Sequence, residues 1–208
     1  KIRKATLEDI QQYNRDFQQN VFIVLQNIKE IVNKNTILPS GYETNDIKAI
    51  DIMYIFFEIV RYTMDKEDVQ VQIKHNKINL LNNFYYFQLP EDKLNKYVEK
   101  DKQFVIDGWK FSLPCIGVEQ SITKYLFKME HLGLSNKYLD KSFNFMYFVS
   151  DKNNLSETEI ENLLTIFNDD MEEEDKEKID RIVKSMSGFL KYRVHYQNTV
   201  IPIDNNID

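Results

Sequence analysis

From Leu7 onward the apolar residues advance by alternating steps of three and four: Leu7, Ile10, Phe17, Val21, Val24, Ile28 and Ile31, with Asn14 at the one polar position of the series. That spacing lines one face of a helix, and it predicts a long helix running to about residue 33. Thr6 suits its N-cap, and Glu8 and Asp9 fall in the first turn, where carboxylates meet the positive end of the helix dipole. A short strand leads into it. The stripe has two uses. It faces the protein's own core, as amphipathic helices usually do, or it meets a partner helix, with Asn14 fixing the register as a lone polar residue does in a coiled coil. Phe22, Leu25 and Val32 widen the stripe and argue against a solvated single helix.

Residues 36 to 46, "TILPSGYETND", read as a turn, with Pro39, Ser40 and Gly41 as breakers and Asn45 as an N-cap. A helix from 46 to 64 follows. Its apolar residues, among them Ile47, Ile50, Ile55, Phe56, Phe57, Ile59 and Val60, cover nearly the whole circumference, which marks a central buried helix. The period then drops to two in "DVQVQIKH", and the chain returns through Ile78 and Leu80 to the strand-like "FYYFQLP". Residues 91 to 99 suit a short helix.

Asp107-Gly108 in "QFVIDGWKFSLP" is the strongest hairpin signal, because a two-residue type I′ turn needs positive backbone dihedrals. Trp109, the single tryptophan, belongs to that hairpin either as core or as an interface anchor. Helices are expected at 118 to 133, with His131 in the last turn and Gly133 after it, at 136 to 149, at 156 to 168 from the capping box "SETE", and at 172 to 186. Strands at 190 to 196 and 199 to 203 close the chain. The expected fold is α+β: a long N-terminal helix, a buried central helix, antiparallel hairpins, and a helical C-terminal half closed by a strand pair. It forms a single domain over 1 to 208, with lobes at 1 to 115 and 116 to 208.

Composition narrows the function. Apolar residues at 42% and aromatics at 13% of 208 residues supply a core large enough to offset chain entropy. A net charge of -6 and a pI near 5.2, with no dense basic patch, argue against nucleic acid as a partner. The most apolar run, residues 49 to 60, contains Asp51 and Glu58 and is too short to span a bilayer, so no membrane partner is expected. No signal peptide is recognised at the first residues. The single Cys115 permits no intrachain disulfide and no zinc site built on two cysteines.

Catalytic patterns are missing. His75, His131 and His195 occur singly, and no H-E-x-x-H, C-x-x-C, G-x-S-x-G, Walker or dinucleotide glycine pattern is present. An enzyme would need the histidines gathered in space with carboxylates. Cys115, in the apolar context "LPCIG", reads as structural more readily than as a nucleophile. The acidic run 168 to 178, "NDDMEEEDKEK", lacks the ligand alternation and turn glycine of an EF-hand loop and reads as a solvated helix start. No catalytic, cofactor-binding or metal-binding residue is assigned. The candidate partner interface is the stripe itself: Leu7, Ile10, Asn14, Phe17, Val21, Val24, Ile28 and Ile31.

The order of these stretches, "IRKATLEDIQQYNRDF", an apolar helix, "VQVQIKHNKINLLNNFYYFQL", "FVIDGWKFSLPCIGVEQSITKYL", acidic helices and "KYRVHYQNTVIPI", resembles the baseplate hub and tail-assembly proteins of T-even-like contractile-tailed bacteriophages. The helix start at Thr6 to Asp9 and the strand ending at Pro114 before a helix carry the likeness over most of the chain. Members of that family often bear cysteine pairs at two hairpin tips, resembling a zinc knuckle. Here the tips read "KHNK" (74 to 77) and "HYQN" (195 to 198), each with one histidine and no cysteine, which implies hairpins kept as architecture without the metal. The resemblance implies a non-enzymatic virion component of the tail baseplate, hub or wedge region, assembled in the host cytoplasm. Its partners would be other tail and baseplate proteins, with several copies in a symmetric assembly. The alternative is a cytosolic adaptor or regulatory binding module with no virion role.

Overall fold

Thr6 opens the first helix with a reciprocal cap. Its Oγ1 accepts from the Asp9 backbone N–H at 3.1 Å, while the Asp9 carboxylate receives the Thr6 hydroxyl at 2.8 Å and the Thr6 N–H at 3.4 Å. The computed structural model describes residues 1–16, 21–73, 76–85, 98–100, 103–106, 109–133, 139–149, 152–186, 193–197 and 199–202. Over these residues the protein is mostly helical with a few short strands, an α+β composition.

The chain divides into two compact units. One comprises Lys1–Thr44, Ile50–Phe87 and Phe189–Asp208, and the other Asn45–Ala49 and Gln88–Gly188. The lobe boundary expected between 115 and 116 falls inside the second unit. The closing strands belong to the first unit because their pairing partner is there.

In the first unit, α1 (Leu7–Asp16) and α2 (Val21–Asn35) replace the single long helix that the periodicity predicts. The two run antiparallel. Lys34 lies 3.7 Å from Asp9, the Arg3 N–H bonds the Asn35 carbonyl at 2.7 Å, and Ile2 forms an antiparallel bridge with Thr36. In a continuous helix residues 9 and 34 would stand about 37 Å apart. The physical reason for the reversal is burial: Ile10 on α1 and Ile28, Ile31 and Val32 on α2 are all removed from solvent, which one isolated helix cannot do for its own stripe. Residues 17–20 lie outside the described residues.

Helix α3 (Ala49–Thr63) buries Ile52, Phe56, Phe57 and Ile59. It starts later than the pattern predicts, because Lys48 forms an antiparallel bridge with Cys115 within the second unit. The Ile116 N–H bonds the Ile47 carbonyl at 2.8 Å, and the Ala49 N–H bonds the Pro114 carbonyl at 2.9 Å. Asn45, expected as the N-cap, lies in a 3₁₀ turn (Thr44–Asp46) instead.

Strands β1 (Gln70–Ile73) and β2 (Asn76–Asn79) pair antiparallel in the first unit, with Val71 opposite Ile78. Asp68 holds the far end of this pair. Its buried carboxylate accepts the backbone N–H groups of Val69 (2.7 Å), Leu81 (2.8 Å) and Asn82 (3.0 Å). Strand β3 (Phe84–Tyr85) pairs with β7 (Arg193–Tyr196), and β7 pairs with β8 (Thr199–Pro202). The Asn76 side-chain amide donates to the Tyr196 hydroxyl, so β2 and β7 also meet through side chains.

In the second unit β4 (Val98–Lys100), β5 (Gln103–Ile106) and β6 (Trp109–Phe111) form an antiparallel set in that order. Val98 and Glu99 are therefore strand, where a helix is expected. Pairing with β5, Val98 opposite Val105, overrides the local pattern. Residues 91–97 lie outside the described residues, as do 107–108 with the turn predicted on Asp107-Gly108, and so does the Trp109 side chain. The described residues of the unit add the helices α4 (Ile116–His131), α5 (Leu139–Val149), α6 (Glu157–Thr165) and α7 (Glu173–Met186). Ser156 caps α6 with both halves of the capping box formed with Glu159. Gly133 ends α4 at φ +69°, the left-handed conformation for which glycine is favoured. The core gathers Phe111, Val118, Ile122, Phe145, Met146, Phe148, Ile179 and Val183, and Phe145 and Phe167 stack with centroids 5.2 Å apart. Phe167 sits in a π-helical turn (Ile166–Asp170) that follows α6.

Candidate partner interface

Antiparallel packing of α1 on α2 distributes the predicted stripe. Ile10, Ile28 and Ile31 are buried in the first unit, Val24 is half-buried, and Leu7 is 58% exposed. Asn14 and Val21 take their places in α1 and α2 with side chains outside the described residues, and Phe17 lies outside them altogether. The stripe is thus not one continuous surface.

An extended segment precedes α1 and is tied to two other parts of the first unit. Ile2 pairs with Thr36, and the next residue, Ile37, donates its N–H to the Lys1 carbonyl at 2.7 Å. On the way to α1, the Lys4 ammonium contacts Asp65 at 2.5 Å and stands 5.5 Å from the Tyr62 ring centroid. The Ala5 N–H donates to Thr63 Oγ1 at 2.9 Å. Ile2, Leu7, Ile37, Tyr62 and Met64 are all exposed. In the sequence, Ile2 stands between basic residues, Ile37 and Leu38 precede the Pro39 turn, and Tyr62 and Met64 fall at the end of an apolar run. The Asp9 carboxyl is held below its ordinary range by the Thr6 hydroxyl hydrogen bond, opposed by burial and helped by Lys34.

Among the described residues, His131 and Cys115 stand at opposite ends of α4 and His195 on β7. The His131 ring is in contact with the Phe127 carbonyl at 2.9 Å and stacks near the Phe127 ring, at the end of α4. His195 is exposed on β7 opposite Val200, and His75 lies outside the described residues. Cys115 is the N-cap residue of α4, with the Lys48 ammonium 3.7 Å from its sulfur and 2.8 Å from the Leu113 carbonyl. In the first unit, Glu58 accepts from the Tyr54 hydroxyl at 3.2 Å and from Arg61 Nε at 2.9 Å, a network along α3.

Glu119 on α4 is a strongly perturbed carboxyl. Burial among the helices pushes it up to about 7. Burial likewise raises Tyr147 on α5, and the Glu119 charge adds to this, while a hydrogen bond with Thr123 works in the opposite direction. The acidic run stands at the start of α7, where Lys178 is 3.2 Å from Glu174 and 3.6 Å from Asp175. Among the described residues no group of three or more potential ligands could hold a metal ion, and no helix is long and apolar enough to cross a membrane. The first unit exposes several large apolar side chains, and the second an acidic helix start. No protein-family model, curated protein or solved structure matches the chain.

Proposed function

We propose that the protein is a non-enzymatic structural or assembly component of a phage tail baseplate, in its hub or wedge region, acting through protein–protein interfaces. The observation that favours this reading is that five large apolar side chains, Ile2, Leu7, Ile37, Tyr62 and Met64, stay exposed on the first unit. The baseplate setting is drawn from the order of elements. Within it, the strand pairs β1–β2 and β7–β8 act as the two hairpins of the resembled family. The Asn76–Tyr196 hydrogen bond joins their ends, at the tips where the resemblance implies cysteines.

An affinity pull-down of the tagged chain from its native source, with mass spectrometry of the co-purifying proteins, tests the proposal. Tail-tube, hub or wedge proteins in stable ratio, and a fixed copy number in purified particles, are expected. Recovery of host regulatory or metabolic proteins alone would overturn the baseplate reading in favour of a cytosolic adaptor.

A further inference from the structure

We draw no further inference here: the strongest candidate, the Cys115 thiol at the N-terminus of α4 with the Lys48 ammonium 3.7 Å from its sulfur, is a lone cysteine and nothing else among the described residues points to what would bind or react there.

Discussion

The Lys34 ammonium lies 3.7 Å from the Asp9 carboxylate, although 24 residues separate them in the chain. A partly exposed pair of this kind contributes no more than about 1 kcal/mol, so its value is diagnostic. It requires α1 to fold back on α2. A carbodiimide, which joins an amine to a carboxylate in contact, is expected to link the two residues. The Lys128–Glu157 pair, 2.5 Å apart in the second unit, serves as a positive control. Peptide mapping that finds the control link and no Lys34–Asp9 link would restore the continuous helix.

The reversal shows where the sequence stops being informative. Spacings of three and four identify the buried face of a helix, and Ile10, Ile28 and Ile31 do turn inward. They carry no information on whether the chain reverses between them, because a stripe buried against its own second half has the same period as one buried against another element. Signals made by neighbours in sequence were legible: the Thr6 cap, the Ser156–Glu159 capping box and the Gly133 stop. Those made by distant pairing were not. Strand β7 finds β3 more than 100 residues earlier, and the start of α3 is delayed by pairing of 47–49 with 114–116. The bridge of Ile2 to Thr36 and the bond of Ala5 to Thr63 have the same origin.

Asp68 organises one end of the first unit by accepting three backbone N–H groups, those of Val69, Leu81 and Asn82. A buried donor left without an acceptor costs about 1–3 kcal/mol. Asp68→Ala is therefore expected to lower the unfolding free energy by roughly 3 kcal/mol or more in urea titrations, with faster amide exchange at Leu81 and Asn82. Asp68→Asn keeps one acceptor oxygen and should lose less. If the alanine variant unfolds at the wild-type urea concentration, the carboxylate is not what holds this turn.

Glu119 makes the second unit sensitive to pH near neutrality. Its carboxyl titrates near 4.5 when unfolded and is pushed up to about 7 by burial in the fold. Between those values the folded state holds a proton that the unfolded state has released. Stability therefore falls as the pH rises from about 4.5 to about 7 and levels off above that. At about 1.4 kcal/mol per pKa unit the ceiling is roughly 3 kcal/mol, reduced because the side chain keeps some contact with solvent. Asp9 and Glu159 have depressed values and act at lower pH with the opposite sign, so they do not obscure this window. Glu119→Gln should flatten the slope and gain stability over wild type at pH 8. An unchanged slope in that variant would assign the pH dependence to another group.

Gly117 fixes how closely α4 approaches the loop before α6. A Cβ at this position would stand 2.0 Å from the Asn153 carbonyl oxygen and 3.0 Å from Asn45 Cβ, both of them on short segments held in place. The Asn153 amide donates to Asp46 at 2.7 Å, and the Leu155 N–H donates to Ser121 at 3.2 Å. Gly117→Ala must displace backbone, at a cost of about 1–3 kcal/mol. Thermal unfolding followed by the near-ultraviolet signal reads this directly, and a melting temperature equal to wild type would show that the loop yields freely.

The partner surface separates from the core by the response to a single charge. Leu7 is 58% exposed and Ile28 is 1% exposed, although both belong to the same sequence stripe. Leu7→Asp places its carboxylate in water and should change stability by less than about 0.5 kcal/mol, leaving the circular dichroism of the wild type. Ile28→Asp forces an unpaired charge into the first unit and should cost several kcal/mol, enough to unfold it. If these exposed apolar side chains bind a neighbour, Leu7→Asp and Ile37→Asp remain folded and lose co-purifying partners in the pull-down, because an interface core tolerates charge poorly. Folded variants that retain the full partner set would move the interface off Leu7 and Ile37.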